Sequence, residues 1–118
     1  MSQRNKPLQA TKQRSVRRCA LVASVEVTEL RTGALLSARI SELGVGGCYV
    51  DALNPFPEGA LVRLRILRDQ GVFETKAKVV YCDSRFGMGL AFVEMTPDQR
   101  SLLENWLAEI VSQLRPVS

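Results

Sequence analysis

The chain has 118 residues, 46% apolar and 24% charged, with a net charge of +4. That suffices for one compact domain with its own core, and no apolar stretch is long enough to span a bilayer. Histidine is absent and the three cysteines, Cys19, Cys48 and Cys82, are widely spaced, so the commonest general base and metal ligand is missing and neither a disulfide framework nor a zinc site is indicated. The expectation is a domain that is not an enzyme, holds no metal and keeps its thiols reduced in the cytoplasm.

The first eighteen residues carry Arg4, Lys6, Lys12, Arg14, Arg17 and Arg18 and no acid. The ten cations and twelve acids of the remainder leave the body at −2, so all the net positive charge sits on the N-terminal segment. The segment is polar and basic with no apolar run behind it, unlike a secretory signal. Residues 1–18 are expected to form a flexible basic arm and 19–116 a folded body.

From Cys19 the pattern has period two. Leu21, Ala23, Val25 and Val27 alternate with polar or smaller residues, and Arg31-Thr32-Gly33 makes a turn before Leu36, Ala38 and Ile40 alternate with Ser37, Arg39 and Ser41. Such alternation describes strands with one buried face. A third strand follows Gly46-Gly47, with Cys48 and Val50 on one side. The prolines of Asn54-Pro55-Phe56-Pro57-Glu58-Gly59 exclude a ladder there. Val62, Leu64 and Ile66 mark a fourth strand, Asp69-Gln70-Gly71 a hairpin, and Phe73, Thr75, Ala77, Val79 and Tyr81 one face of a fifth. Met88, Leu90 and Phe92 mark the sixth. Connections this short require antiparallel pairing, hence a sandwich or a barrel. One helix closes the chain: Thr96 as N-cap, Pro97 at the first helical position and Gln99 completing a capping box, with an apolar stripe from Leu102 to Leu114 that packs on the barrel.

Three stretches, in this order, resemble the PilZ domain family. Arg14-Ser15-Val16-Arg17-Arg18 has the family's RxxxR spacing just ahead of the first strand. Glu42-Leu43-Gly44-Val45-Gly46-Gly47, running into Cys48-Tyr49-Val50, stands where the family carries Asp/Asn-x-Ser-x-x-Gly. Val79-Val80-Tyr81, then Phe86-Gly87-Met88-Gly89-Leu90-Ala91-Phe92 and a capped helix bearing Trp106, is similar to the family's C-terminal half. The resemblance covers roughly residues 14 to 114. It implies a mainly β fold, a six-stranded antiparallel barrel with one C-terminal α-helix. It also implies a ligand, the bacterial second messenger cyclic di-GMP, and no cofactor.

Arginine forks match phosphate oxygens bidentately and also fit the O6/N7 edge of guanine. The resemblance assigns that role to Arg14 and Arg18, with Arg17 a third contributor; on charge alone the same arm is a solvated basic tail. In the second motif Glu42 takes the acid position, Gly44 the serine position, and Gly47 is the unchanged glycine. A second register keeps Ser41 and Gly44 and puts Arg39 at the acid position; the first lets Gly46-Gly47 open a strand. Two readings follow, a cyclic di-GMP receptor that signals to an unidentified protein partner, and a degenerate domain that acts as an adaptor without nucleotide. The arm lacks aromatics between its cations and the body is acidic, so no specific nucleic acid is expected. Monomer and dimer both remain open.

Overall fold

A computed structural model describes the backbone of residues 18–114 and the side chains of 19–112. Expectations placed on residues 1–17, Arg14 and Arg17 among them, and on 115–118 lie outside the described residues, as does the side chain of Arg18. Six strands, β1 (Arg18–Glu29), β2 (Leu35–Gly44), β3 (Gly47–Asp51), β4 (Leu61–Arg68), β5 (Gly71–Asp83) and β6 (Gly87–Val93), precede one helix, α1 (Pro97–Leu114). They form a closed antiparallel barrel in the order β1-β2-β3-β6-β5-β4. Two three-stranded meanders, β1–β3 and β4–β6, are thus joined along two seams, β3 to β6 and β1 to β4. Closure gives every strand a paired neighbour on both sides.

Where alternation is unbroken, sequence and structure agree. Val62, Leu64 and Ile66 of β4 are buried while Arg63 points out. On that outer wall Arg65 reaches Glu26 at 2.8 Å and Glu74 at 3.6 Å. These pairs are exposed and contribute little to stability. Inside, Phe73 packs against Phe92 at 5.2 Å and Trp106 at 6.3 Å between ring centroids.

Three bulges break the alternation. Register shifts occur between Ala20 and Ala23 of β1, between Ile40 and Glu42 of β2, and between Val79 and Tyr81 of β5. Each adds a residue; those in β2 and β5 invert the faces beyond them, whereas β1 keeps Cys19 on the same buried side as Val25 and Val27. Tyr81, expected to share the buried face of Phe73 and Val79, therefore points outward, 41% exposed. Glu42, two residues after buried Ile40, is likewise on the outside.

The Thr96 hydroxyl accepts the Gln99 amide at 3.2 Å, as an N-cap should. The capping box is not completed, because the Gln99 side-chain oxygen instead accepts the Glu74 amide at 2.6 Å and ties α1 to β5. Leu103, Trp106 and Ile110 join the barrel core. Arg68 stands 5.7 Å from the Trp106 ring and pairs with Glu109 at 2.9 Å, so α1 sits at the end of the barrel marked by the β4–β5 hairpin. Among the described residues no helix is long and apolar enough to cross a membrane.

Candidate ligand-binding face

The bulges bring polar and aromatic side chains into one outer row. The register runs Ala20, Glu42, Tyr49, Gly89, Tyr81 across β1, β2, β3, β6 and β5. One step toward the helix end, Arg18 lies opposite Gly44, and Gly47 opposite Ala91 and then Lys78. One step the other way, the row is Arg39, Asp51, Gly87, Asp83.

The glycines make room for the rings. A Cβ at Gly87 would stand 2.7 Å from the Tyr49 ring, and one at Gly89 would stand 2.9 Å from Cδ1 of Tyr81. The two rings have centroids 6.1 Å apart, tilted by 33°. The Tyr49 hydroxyl donates to Asp83 at 2.8 Å, and Ser41 donates to Asp51 at 3.1 Å. Partial burial, then the Asp83 carboxylate, push the Tyr49 hydroxyl from its ordinary 10.0 up to about 12, so it stays protonated and donating at neutral pH.

Of the residues expected at the site, Glu42 is exposed on this face, while Gly44 and Gly47 are buried where β2 ends and β3 begins. A Cβ at Gly47 would run into the Leu90 carbonyl oxygen, so only glycine allows β3 to approach β6 there. Gly47 opens β3, the feature on which the preferred motif register rests. The Arg18 backbone meets that motif directly through its pairing with Gly44. Tyr49, Tyr81 and Asp83 were not expected as site residues. Their signal was Gly87-x-Gly89 around buried Met88, an outward glycine pair that neighbouring strands must cover. Among the described residues no three side chains of metal-ligating type converge.

Residues 11–109 match the model of the PilZ domain. The chain belongs to the PilZ domain family. Among curated proteins, none matches it by sequence. This PilZ domain is similar to the PilZ domain of YcgR from Escherichia coli, solved with c-di-GMP, at 17% identity and a TM-score of 0.71 over 88% of this chain and 95% of that one. It is similar to MotI, an inhibitor of motility from Bacillus subtilis, at 21% identity and 0.72 over 89% of this chain and 54% of that one. MrkH, a c-di-GMP-dependent transcription regulatory factor, aligns at 16% identity and 0.66 over 87% of this chain and 53% of that one. This PilZ domain thus spans about half the length of MotI and of MrkH, and at these identities the likeness is one of fold.

Proposed function

We propose that this PilZ domain is a cyclic di-GMP receptor that passes its signal to a protein partner. The observation that carries the proposal is the register of β1 on β2. Arg18 opposite Gly44 and Ala20 opposite Glu42 set the last arginine of RxxxR against the second motif. In this reading residues 1–18 supply Arg14, Arg17 and Arg18 to the phosphates and guanine edges, and the body, 19–116, supplies the rest. The Glu42 carboxylate accepts from the guanine amino group, while Gly47 keeps the start of β3 slim enough for close approach. Tyr81, its ring partly open to solvent, offers a face for a base, a contact worth about 1–3 kcal/mol in single-stranded nucleic-acid complexes. The similar YcgR domain solved with c-di-GMP supports the choice of nucleotide.

Calorimetric titration of the protein with cyclic di-GMP tests this. Saturable binding is expected, weakened tenfold or more in Arg14→Ala and in Arg18→Ala, because a charge-assisted hydrogen bond contributes about 1.5–3 kcal/mol. Gly44 favours the second reading, an adaptor without nucleotide, since no hydroxyl stands where the family motif carries one. Absence of binding by the wild-type protein would decide for it.

A further inference from the structure

The end of the barrel away from α1 presents a second surface. Leu53 and Phe86 are the two most exposed large apolar side chains among the described residues, at 76% and 74%. They come from different meanders, one just after β3 and one just before β6. The Ala52 amide donates to the Phe86 carbonyl at 3.0 Å and fixes the two segments together. The Phe86 amide in turn donates to the Asp83 carbonyl at 2.9 Å, closing a turn in which Arg85 holds φ at 74°. A non-glycine residue in that region is strained and persists only where its surroundings hold it. Phe86 is therefore presented to solvent by a fixed turn.

Leu53 and Phe86 line an open groove of about 490 Å³, together with Leu36, Ala38, Arg39 and Arg85. That volume falls in the range of sites that take a few side chains. Charge indicates the occupant. Arg63, Arg65, Arg68 and Lys76 on the barrel wall have acidic partners; Arg39 and Arg85, like Lys78 on β5, have none among the described residues, and of these three only Arg39 and Arg85 line the groove. The acid that lines the groove, Asp51, already accepts Ser41. Two arginines against one carboxylate leave an apolar groove with a net positive rim.

We propose that this groove docks a segment of a partner protein that carries a leucine- or phenylalanine-sized anchor flanked by aspartate or glutamate. Exposed aromatic and arginine side chains gathered at one patch are the usual anchors of such contacts. The inference rests on the receptor-and-adaptor reading for its biological purpose and names the chemistry of the partner. The groove begins at the row Arg39, Asp51, Gly87, Asp83, next to the row that carries Glu42, Tyr49 and Tyr81.

The test is panning of a phage-displayed random dodecapeptide library on the 118-residue chain, without nucleotide, after depletion on the double variant Leu53→Ser, Phe86→Ser. Enriched peptides are expected to combine acidic residues with leucine or an aromatic. A synthetic copy of the most enriched peptide should bind the wild-type protein, less tightly as salt rises, and at least tenfold more weakly to Phe86→Ser and to Arg39→Glu, Arg85→Glu. A copy with lysine in place of its acids should prefer the glutamate variant. The substituted positions are solvent-facing, so thermal melts of the variants should match wild type. Three outcomes overturn the proposal: no enrichment beyond the depleted background, a basic or charge-independent consensus, or self-association of the wild-type protein that Phe86→Ser abolishes, which would make a second copy the occupant. Because the panning uses no nucleotide, its failure leaves the calorimetric test of cyclic di-GMP binding intact, and the reverse.

Discussion

Gly87 and Gly89 lie two residues apart on the outer face of β6, and alanine at each should have different consequences. A Cβ at Gly87 meets the Val50 carbonyl oxygen as well as the Tyr49 ring at 2.7 Å. The carbonyl belongs to the β3 backbone, paired with β6 inside a closed barrel, and cannot withdraw without opening the seam. The three atoms nearest to a Cβ at Gly89 all belong to the ring of Tyr81, an exposed side chain that can rotate away. Overpacking against fixed neighbours costs about 1–3 kcal/mol, so Gly87→Ala should lower Tm by roughly 3 °C or more. For Gly89→Ala the lost ring contact is offset by the reduced entropy of the unfolded chain, about 0.4–1 kcal/mol in favour of the alanine, and stability should stay within about 0.5 kcal/mol of wild type. Neither glycine has a left-handed φ, so alanine adds no backbone strain at either. Urea and thermal melts give the stabilities, and near-ultraviolet circular dichroism reports whether the tyrosine has left its position. Equal destabilisation by both substitutions, or a Gly89→Ala protein with an unchanged tyrosine signal, would refute the account of the two rings.

The Tyr49 phenol should titrate at about 12 by phenolate absorbance, and Asp83→Asn should lower the midpoint only part-way toward 10.0, because burial and the neighbouring Tyr81 and Asp51 remain. Since the folded value is the raised one, this contribution to stability is complete below about pH 10 and is lost as pH rises through about 12; a wild-type midpoint near 10 would remove the Asp83 bond from the account. Gln99→Ala leaves the Glu74 amide without its acceptor and should cost about 0.5–1.5 kcal/mol in urea denaturation, while Thr96→Ala should cost about 1 kcal/mol through the lost cap. Glu42→Asp with Gly44→Ser should tighten cyclic di-GMP roughly thirtyfold by calorimetry, as two hydrogen bonds of about 1 kcal/mol each. Gly44 is not among the glycines with positive φ, so serine adds no backbone strain there; an equally stable double variant that binds no better would put the motif in the wrong register.

The strands were legible wherever the ladder is regular. Val62, Leu64 and Ile66 alternate with arginines because β4 pairs with β1 and β5 without a register shift. Thr96-Pro97 marked the start of α1 because a cap is a local contact, visible within four residues. The destination of the Gln99 side chain was not legible, since the competing Glu74 amide is 25 residues away and comes close only in the folded barrel. Barrel closure depends on two seams between strands that are not neighbours in the chain, and periodicity carries no information about such pairing. The resemblance supplied that step. Tyr81 was misplaced for a different reason: nothing in Val79-Val80-Tyr81 distinguishes a continuous strand from one with an extra residue, and the inversion shows only once β6 is laid beside it.

The same irregularities that defeat the sequence reading assemble the candidate face. Without the extra residue at Ser41, Glu42 would follow Ile40 inward, where an unpaired carboxylate in an apolar core costs several kcal/mol. Without the one at Val80, Tyr81 would enter the barrel and Gly89 would lie uncovered. The register of Ala20, Glu42, Tyr49, Gly89 and Tyr81 across five strands therefore requires two of the three bulges, and the third, beside Ala20, lets β1 keep step with β2 as it carries Arg18 to Gly44. Bulges lower local pairing energy and are retained where they re-aim side chains. All three lie on strands that bound one outer face, while β4 on the opposite wall pairs without a register shift, so the irregularity of the barrel is concentrated where the candidate face is built.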